Sequence, residues 1–457
     1  MEWSNTQKLR GNSIFTTILG EDESGIYVLR HRNKFLSKFI VLERYRNNLG
    51  LESSKSFLLK NTRIIYSDIN ETGILLIKQI FDKKAGNYKI VATVLNNSFE
   101  NVKPETLITW VNHPFSNASP TLIIKPSFDH KHYFIFNYGL TNLPINFNRF
   151  TIIDQQINVI EQGEFYFEKE WKIETIEDII LDKNLEFSLL LKSKKNISGF
   201  NTLAIYEQNK IKQLADSNYS LDKPIIFYNT STGQKGVSGF YTSDIENGFE
   251  GDFSFQWKNL FPDSLKLNKQ PFSRHIIKEL AGEVKAQSGF LPPTYFPLKV
   301  ICRSDGGFVK ISENSYTQKE QDVMMANGVA STQGKNIYSF ENILIQNFDS
   351  SGQLYWENWV SKNQNTVNDG GLLSSVFISV TLSSVNILFN DPIATGGDIV
   401  LANFSPGGLR EIKVAAKGDE MNAFIIPAEG KQISGDKIIV PVLKDRKFAL
   451  LKITFKQ

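Results

Sequence analysis

Glu71-Thr72-Gly73-Ile74-Leu75-Leu76-Ile77 decides the fold of this chain. An acid, one spacer and a glycine make a tight turn. Glycine takes positive φ without penalty, and the carboxylate accepts from nearby backbone N–H groups. The uncharged run that follows is too short for a helix and reads as an inner strand covered on both faces. The same plan stands in Glu23-Ser24-Gly25-Ile26-Tyr27-Val28-Leu29 and in Asp305-Gly306-Gly307-Phe308-Val309-Lys310-Ile311. Looser copies place Asp129 before Tyr133-Phe134-Ile135-Phe136 and Asp182 before Phe187-Ser188-Leu189-Leu190. The starts at Glu23, Glu71, Asp129 and Asp182 lie 48, 58 and 53 residues apart.

Between these units, short runs of Ile, Val, Phe, Tyr and Thr alternate with Asn, Asp, Gly and Lys, for example at 89–95, 342–348, 385–389 and 448–455. Long helical periodicity is missing; the one good helix window is 273–283, with Ser273 as N-cap and Pro292-Pro293 soon after. A strand repeat near 50 residues matches the four-stranded blade of a β-propeller, roughly 40–50 residues. The expected fold is therefore all-β. It is a single β-propeller of about seven blades (six to eight) across residues 1–457, with an irregular insertion around 221–297 where the repeat loses register. The ring needs closing, and Ile14-Phe15-Thr16-Thr17-Ile18 is expected to pair with C-terminal strands at 437–442 and 448–455. A string of β-sandwiches fits less well, since its period is near 100 residues and no Pro/Gly/Ser-rich linker divides the chain.

The 457 residues carry 51 basic and 48 acidic side chains, a balance unlike that of a dedicated nucleic-acid binder. The densest basic cluster is Arg30, Arg32, Lys34, Lys38, Arg44 and Arg46, which reads as the solvent face of the first strands or as a contact for an anionic partner. The single cysteine, Cys302, excludes an intrachain disulfide and sits in an apolar run, as a buried inert thiol would. No apolar stretch is long enough for a membrane-spanning helix. Met1-Glu2-Trp3-Ser4-Asn5-Thr6 opens no secretory leader, which fits either a cytoplasmic protein or a mature exported one.

No motif for catalysis or cofactor binding emerges. Gly236-Val237-Ser238-Gly239 lacks the spacing of a nucleophile elbow, and no phosphate- or dinucleotide-binding glycine loop occurs. Among the histidines only His130 and His132 are close, a pair expected on one strand face, with no third ligand for a metal. Glu164, Glu168, Asp305 and Asp391 are candidate carboxylates for glycoside chemistry, each equally at home as a turn or surface acid. Tyr133, Tyr138, Tyr166, Trp171, Tyr338, Tyr355 and Trp359 include candidates for a sugar-facing stripe. In Asp349-Ser350-Ser351-Gly352-Gln353-Leu354-Tyr355-Trp356 the Asp and Gly set a turn and Trp356 is placed to dock between blades. The long stretches 230–251 and 313–336 read as irregular segments able to reach a partner.

The Asp-turn-Gly-Trp pattern is similar to structural turns of quinoprotein-type and sialidase-type propellers. Asp305-Gly306-Gly307-Phe308, Glu341-Asn342-Ile343-Leu344, Asp349 to Trp356 and Val385-Asn386-Ile387-Leu388-Phe389-Asn390-Asp391 resemble a family of exported propellers common in Bacteroidota. The likeness covers about 305–400. Within that family the chain resembles the plug subunit of the type IX secretion translocon. That resemblance implies a periplasmic, non-catalytic, cofactor-free protein-interaction subunit that closes the mouth of an outer-membrane β-barrel. The alternatives are a carbohydrate-binding or glycoside-active propeller and a cytoplasmic scaffold.

Overall fold

The computed structural model describes residues 1–8, 16–34, 37–111, 121–138, 147–167, 173–197, 200–258, 267–326, 329–391, 393, 397–418, 422–444 and 447–455. The strands form eight antiparallel sheets, each built mainly of four strands laid down in chain order. The chain is an eight-bladed β-propeller, at the upper end of the expected range. Blades 1 to 7 comprise 16–58, 62–111, 121–166, 173–214, 220–271, 295–360 and 377–416. Blade 8 combines 423–454 with the N-terminal residues 2–8.

The ring closes through a different N-terminal segment from the one expected. Glu2–Trp3 and Gln7–Lys8 pair with Lys447–Thr454 as the outermost strand of blade 8. Ser4 donates its backbone N–H to Leu450 O (2.9 Å) and accepts from Leu450 N on its hydroxyl (2.8 Å). Ile14 and Phe15 lie outside the described residues, and Thr16–Asp22 is the innermost strand of blade 1, paired with Gly25–Lys34. Its run Thr-Ile-Leu is as apolar as a closing strand would be. Period alone does not separate the two roles, because both strands pack against blade 8.

Strand order places the expected inner strands. The apolar run after each acid–Gly turn is the second strand of its blade; in blade 1, Gly25–Lys34 is flanked by Thr16–Asp22 and Ser37–Tyr45. Second strands have blades on both sides, so Ile26, Tyr27, Val28, Ile74, Leu75, Leu76 and Ile77 are almost fully buried. The innermost strands face the axis and carry more polar residues.

Each seam between neighbouring blades holds an apolar cluster. Leu29 and Leu42 meet Leu76 and Phe99 between blades 1 and 2, and Ile26 and Val28 meet Ile439 and Leu450 between blades 1 and 8. Phe134, Phe136 and Phe165 join Leu189 and Tyr206 between blades 3 and 4, with Phe165 and Tyr206 stacked at 4.5 Å.

One turn recurs across these seams. Its first residue donates its N–H to the carbonyl four residues on, and its fourth donates back to the first from a left-handed conformation. That fourth residue is Gly306, Gly352 and Gly408 in blades 6 and 7 (φ 91°, 81° and 85°). In the earlier blades it is Leu49, Phe99, Ile157 and Leu185 (φ 62°, 61°, 58° and 66°). Left-handed backbone costs an L-residue about 1–2 kcal/mol. Leu49, Phe99 and Ile157 are buried to within 2% of full coverage and sit in the seam with the preceding blade. Burial of such a side chain contributes about 1.5–3 kcal/mol, which offsets the strain.

The expected insertion at 221–297 is a regular blade followed by two helices. Blade 5 lost its sequence signature because its first turn is capped by Asn229, whose Oδ1 accepts from Ser231 N (3.1 Å) and Thr232 N (3.3 Å), in place of an acid. Helix α1 (Arg274–Ala281) is capped by Ser273, as read from sequence; α2 (Glu283–Ser288) follows. Ile276, Ile277 and Leu280 seal the helices onto Phe240, Phe249, Tyr295 and Leu344 of blades 5 and 6.

Two substitutions at this turn should both destabilise, for opposite reasons. Leu49→Gly relieves backbone strain but empties a seam, for a net loss of about 2 kcal/mol. Gly352→Ala adds a Cβ that meets Asn268 and Ser254 at 2.6 Å and carries φ 81°, for a loss of about 1–2 kcal/mol. Urea unfolding of both variants checks this, and a stabilised Leu49→Gly would refute the stapling role.

Candidate interaction surface

Turns joining first to second and third to fourth strands lie on one face of the ring; the remaining connections lie on the other. Most described turns of the first face are short, the connection 425–437 of blade 8 being an exception. Among the described residues the longest connections lie on the second face, at blades 5 to 7. Innermost strands of successive blades start at Thr16, Thr62, Thr121, Ile173, Ser220, Tyr295, Phe377 and Ala423. The two long steps, Ser220 to Tyr295 and Tyr295 to Phe377, contain the helices, a long hairpin and the segment 361–376.

The hairpin is formed by Phe308–Ala326 and Val329–Phe348, strands of 19 and 20 residues. Within the blade they are flanked by Tyr295–Cys302 and Leu354–Val360. Beyond Ser315 and Phe340 they continue as a ribbon paired to Ala326↔Val329. At about 3.3 Å per residue this arm is roughly 40 Å long. Gln364–Val367 adds to one edge of its base, against Phe340 to Ile337. Past that point both backbone edges of the ribbon lack a strand partner among the described residues. The stretch 313–336, read from sequence as irregular, is therefore mostly strand. Its sequence is mostly polar and its apolar residues are consecutive instead of alternating, so the pattern that betrays a strand is missing. The stretch 230–251 likewise contains the regular strand Gln234–Thr242.

A buried polar network anchors the arm. Lys362 Nζ contacts Glu313 Oε1 at 2.7 Å, with both side chains at most 1% exposed. Lys362 also donates to Gln364 Oε1 (2.8 Å), and Ser375 Oγ donates to Glu313 Oε2 (2.7 Å). Asn342 links helix and arm by donating to Leu280 O (2.9 Å) while accepting from Lys362 N. Burial pulls the Lys362 ammonium below its ordinary value, and Glu313 opposes that pull. On the other face of the same strand, between blades 5 and 6, the fully buried Lys310 meets Asp252, which Gln346 also contacts; burial pushes Lys310 down and Asp252 up. Between blades 4 and 5, burial would lower Lys235, but Glu207 and Asp182 hold it above its ordinary value.

Three acids on or beside the innermost strands are bonded to another blade. Asp178 pairs with Lys125 at 2.8 Å, and Glu429 accepts from Thr17 at 3.3 Å. Asp68, 2% exposed, receives His130 (2.8 Å), Lys431 (3.0 Å) and the Tyr66 hydroxyl (3.2 Å), linking blades 2, 3 and 8. Burial would raise the Asp68 carboxyl, but His130 and Lys431 hold it below the usual aspartate value.

The sequence candidates scatter. Glu164 lies on the outermost strand of blade 3, paired with Arg149 at 2.6 Å. Asp305 caps a turn of blade 6 on the first face, and Asp391 ends a strand of blade 7 towards the opposite face. Glu168 and Trp171 lie outside the described residues. His130 and His132 do not share a strand face: His130 is a left-handed turn residue (φ 54°) aimed at Asp68, while His132 begins a strand. Among the described residues no group of three or more His, Cys, Asp or Glu side chains is placed to hold a metal. Tyr133 is fully buried and Trp359 lies against His275 and under Arg410; Tyr166 and Tyr355 are exposed. Trp356 docks in the seam of blades 6 and 7, donating to Pro406 O at 2.9 Å, as its motif implied. Burial raises the Cys302 thiol to about 12, consistent with an inert side chain. The buried lysine network went unread because its partners come from distant turns with no fixed spacing.

Lys362→Met leaves Glu313 buried and unpaired, and should cost about 3–5 kcal/mol in thermal unfolding. The double variant with Glu313→Leu should recover much of that loss; no recovery would show that the network acts through more than the ion pair. Asp68 gives a pH signature. Its folded-state value is depressed, so its contribution is complete above the ordinary value of 3.8 and is lost as pH falls through the lower folded value. Melting curves of the wild type and Asp68→Asn should differ at neutral pH and converge below about 3.8.

No known protein family matches the sequence, and no curated protein does. Among solved structures the chain is similar to the WD40 domain of SCAP from fission yeast: TM-score 0.44, 10% identity, 99% of this chain and 98% of that chain. The β-propeller domain of the Trilobed protease from Pyrococcus furiosus aligns at TM-score 0.36 and 10% identity, over 92% of this chain and 96% of that one. A member of the DUF4221 family from Bacteroides vulgatus aligns at TM-score 0.31 and 11% identity, over 90% and 100%. The eight-bladed ring rests on the strand pairing of this chain, independently of these likenesses.

Proposed function

We propose that this protein is a non-catalytic interaction propeller that contacts its partner through the arm, helices and 361–376 segment of blades 5 to 7. The arm carries the reading. A two-stranded ribbon is marginal alone in water, yet this one extends past the blade with open backbone edges on an anchored base. Open strand edges are templates for pairing with another chain. The tip contains Val323-Met324-Met325-Ala326 and Val329-Ala330, uncharged and including two of the four methionines. Methionine adapts to varied apolar surfaces. The three described candidate acids lie apart on blades 3, 6 and 7 and form no paired carboxylate site with one another.

A narrower reading follows from the likeness of residues 305–400: a periplasmic plug docked beneath an outer-membrane export barrel of the type IX system. It rests on that likeness alone. Native purification from membranes tests both levels. The full chain should bring down a stoichiometric partner. A chain with 317–338 replaced by Asn-Gly, which keeps Tyr316 and Ser339 at the base, should lose it while melting as before. An outer-membrane barrel as that partner supports the narrower reading. Recovery of the full chain as a lone monomer would sink the interaction reading.

A further inference from the structure

We propose that the groove between blades 1 and 2, on the arm's face but across the ring from it, binds an acidic oligosaccharide. The groove has a volume of about 710 Å³ and is lined by Lys38, Lys60, Arg63, Gln79, Phe81 and Tyr88, among others. Lys38, Lys60 and Arg63 are exposed, and no carboxylate pairs with any of them among the described residues. Other cations of the sequence cluster are already neutralised: Arg30 pairs with Glu43 at 3.0 Å, and Arg44 and Arg46 share Glu52. Within that cluster Lys38 is thus left for a ligand while Arg30, Arg44 and Arg46 are paired.

The surroundings add charge of the same sign. The adjoining turn of blade 2 carries Lys83 and Lys84, both exposed. Asp82, in the same turn, is held by Lys89 at 3.1 Å and by the N–H groups of Lys84 and Ala85. An anion therefore meets attraction with little opposing charge.

Two features favour a sugar over a peptide strand. The backbone at the groove is already bonded: Leu59 N donates to Lys38 O at 2.8 Å, and Phe81 N donates to Asn61 O at 2.9 Å. That leaves recognition to side chains. Those side chains combine cations for carboxylates or sulfates with two half-buried rings, Phe81 and Tyr88, whose centroids lie 4.8 Å apart. Aromatic faces beside polar groups suit the apolar faces and hydroxyls of a pyranose.

Isothermal titration calorimetry of the full chain decides the matter, using a galacturonate hexamer, its neutral galactose counterpart and a dT hexamer. The acidic sugar should bind at least tenfold more tightly than the neutral one, and more tightly than the dT hexamer. Lys60→Ala/Arg63→Ala should weaken it at least tenfold with unchanged melting, whereas Lys55→Ala on the outermost strand of blade 1 should stay within twofold. Absence of galacturonate binding, equal binding of the neutral sugar, or indifference to the double substitution would overturn the proposal. Equal binding of the dT hexamer would reduce the groove to a general polyanion surface and would also overturn it.

Discussion

The left-handed residue in the recurring turn is the constraint on which the ring depends. A blade contributes only half of each seam, so eight blades stay together only if every seam is filled and every blade is held at a fixed angle to the last. Leu49, Phe99 and Ile157 do both: the turn holds the side chain over the preceding blade, and burial in the seam holds the turn in a conformation it would otherwise leave. Neither part is stable without the other. His130 takes the equivalent position in blade 3 and reaches Asp68 of blade 2 through a polar contact instead.

From blade 6 the device changes. Glycine takes the turn position, and the strands of blade 6 carry fully buried lysine pairs at their seams. A buried ion pair adds little net stability, because desolvation cancels most of the attraction, but losing one partner is costly. Such pairs therefore fix geometry more than they strengthen it. Lys362 and Glu313 meet where an arm of unpaired ribbon leaves the blade, the place where apolar packing runs out and an exact attachment angle needs another source.

Much of this was legible in the sequence. The acid–Gly turn with its apolar run revealed the blades, and Ser273 and Trp356 fell into the roles their neighbours implied. What escaped notice had a physical reason. Asn229 does the work of an aspartate at the turn of blade 5, so the repeat lost register there. The closing strand is two fragments, Glu2–Trp3 and Gln7–Lys8, too short to show a period. The arm is a strand pair without apolar alternation in its sequence. Periodicity reports burial, and a ribbon projecting from the ring has none to report.

That last point links fold to function. In this ring most described turns of the first face are short. The longest described connections lie on the opposite face, in adjacent blades, anchored by a dedicated polar network. A chain under pressure only to close a ring gains nothing from an arm whose backbone edges attract unwanted pairing. An arm with open edges on such an anchor is what the proposed pairing along that edge requires.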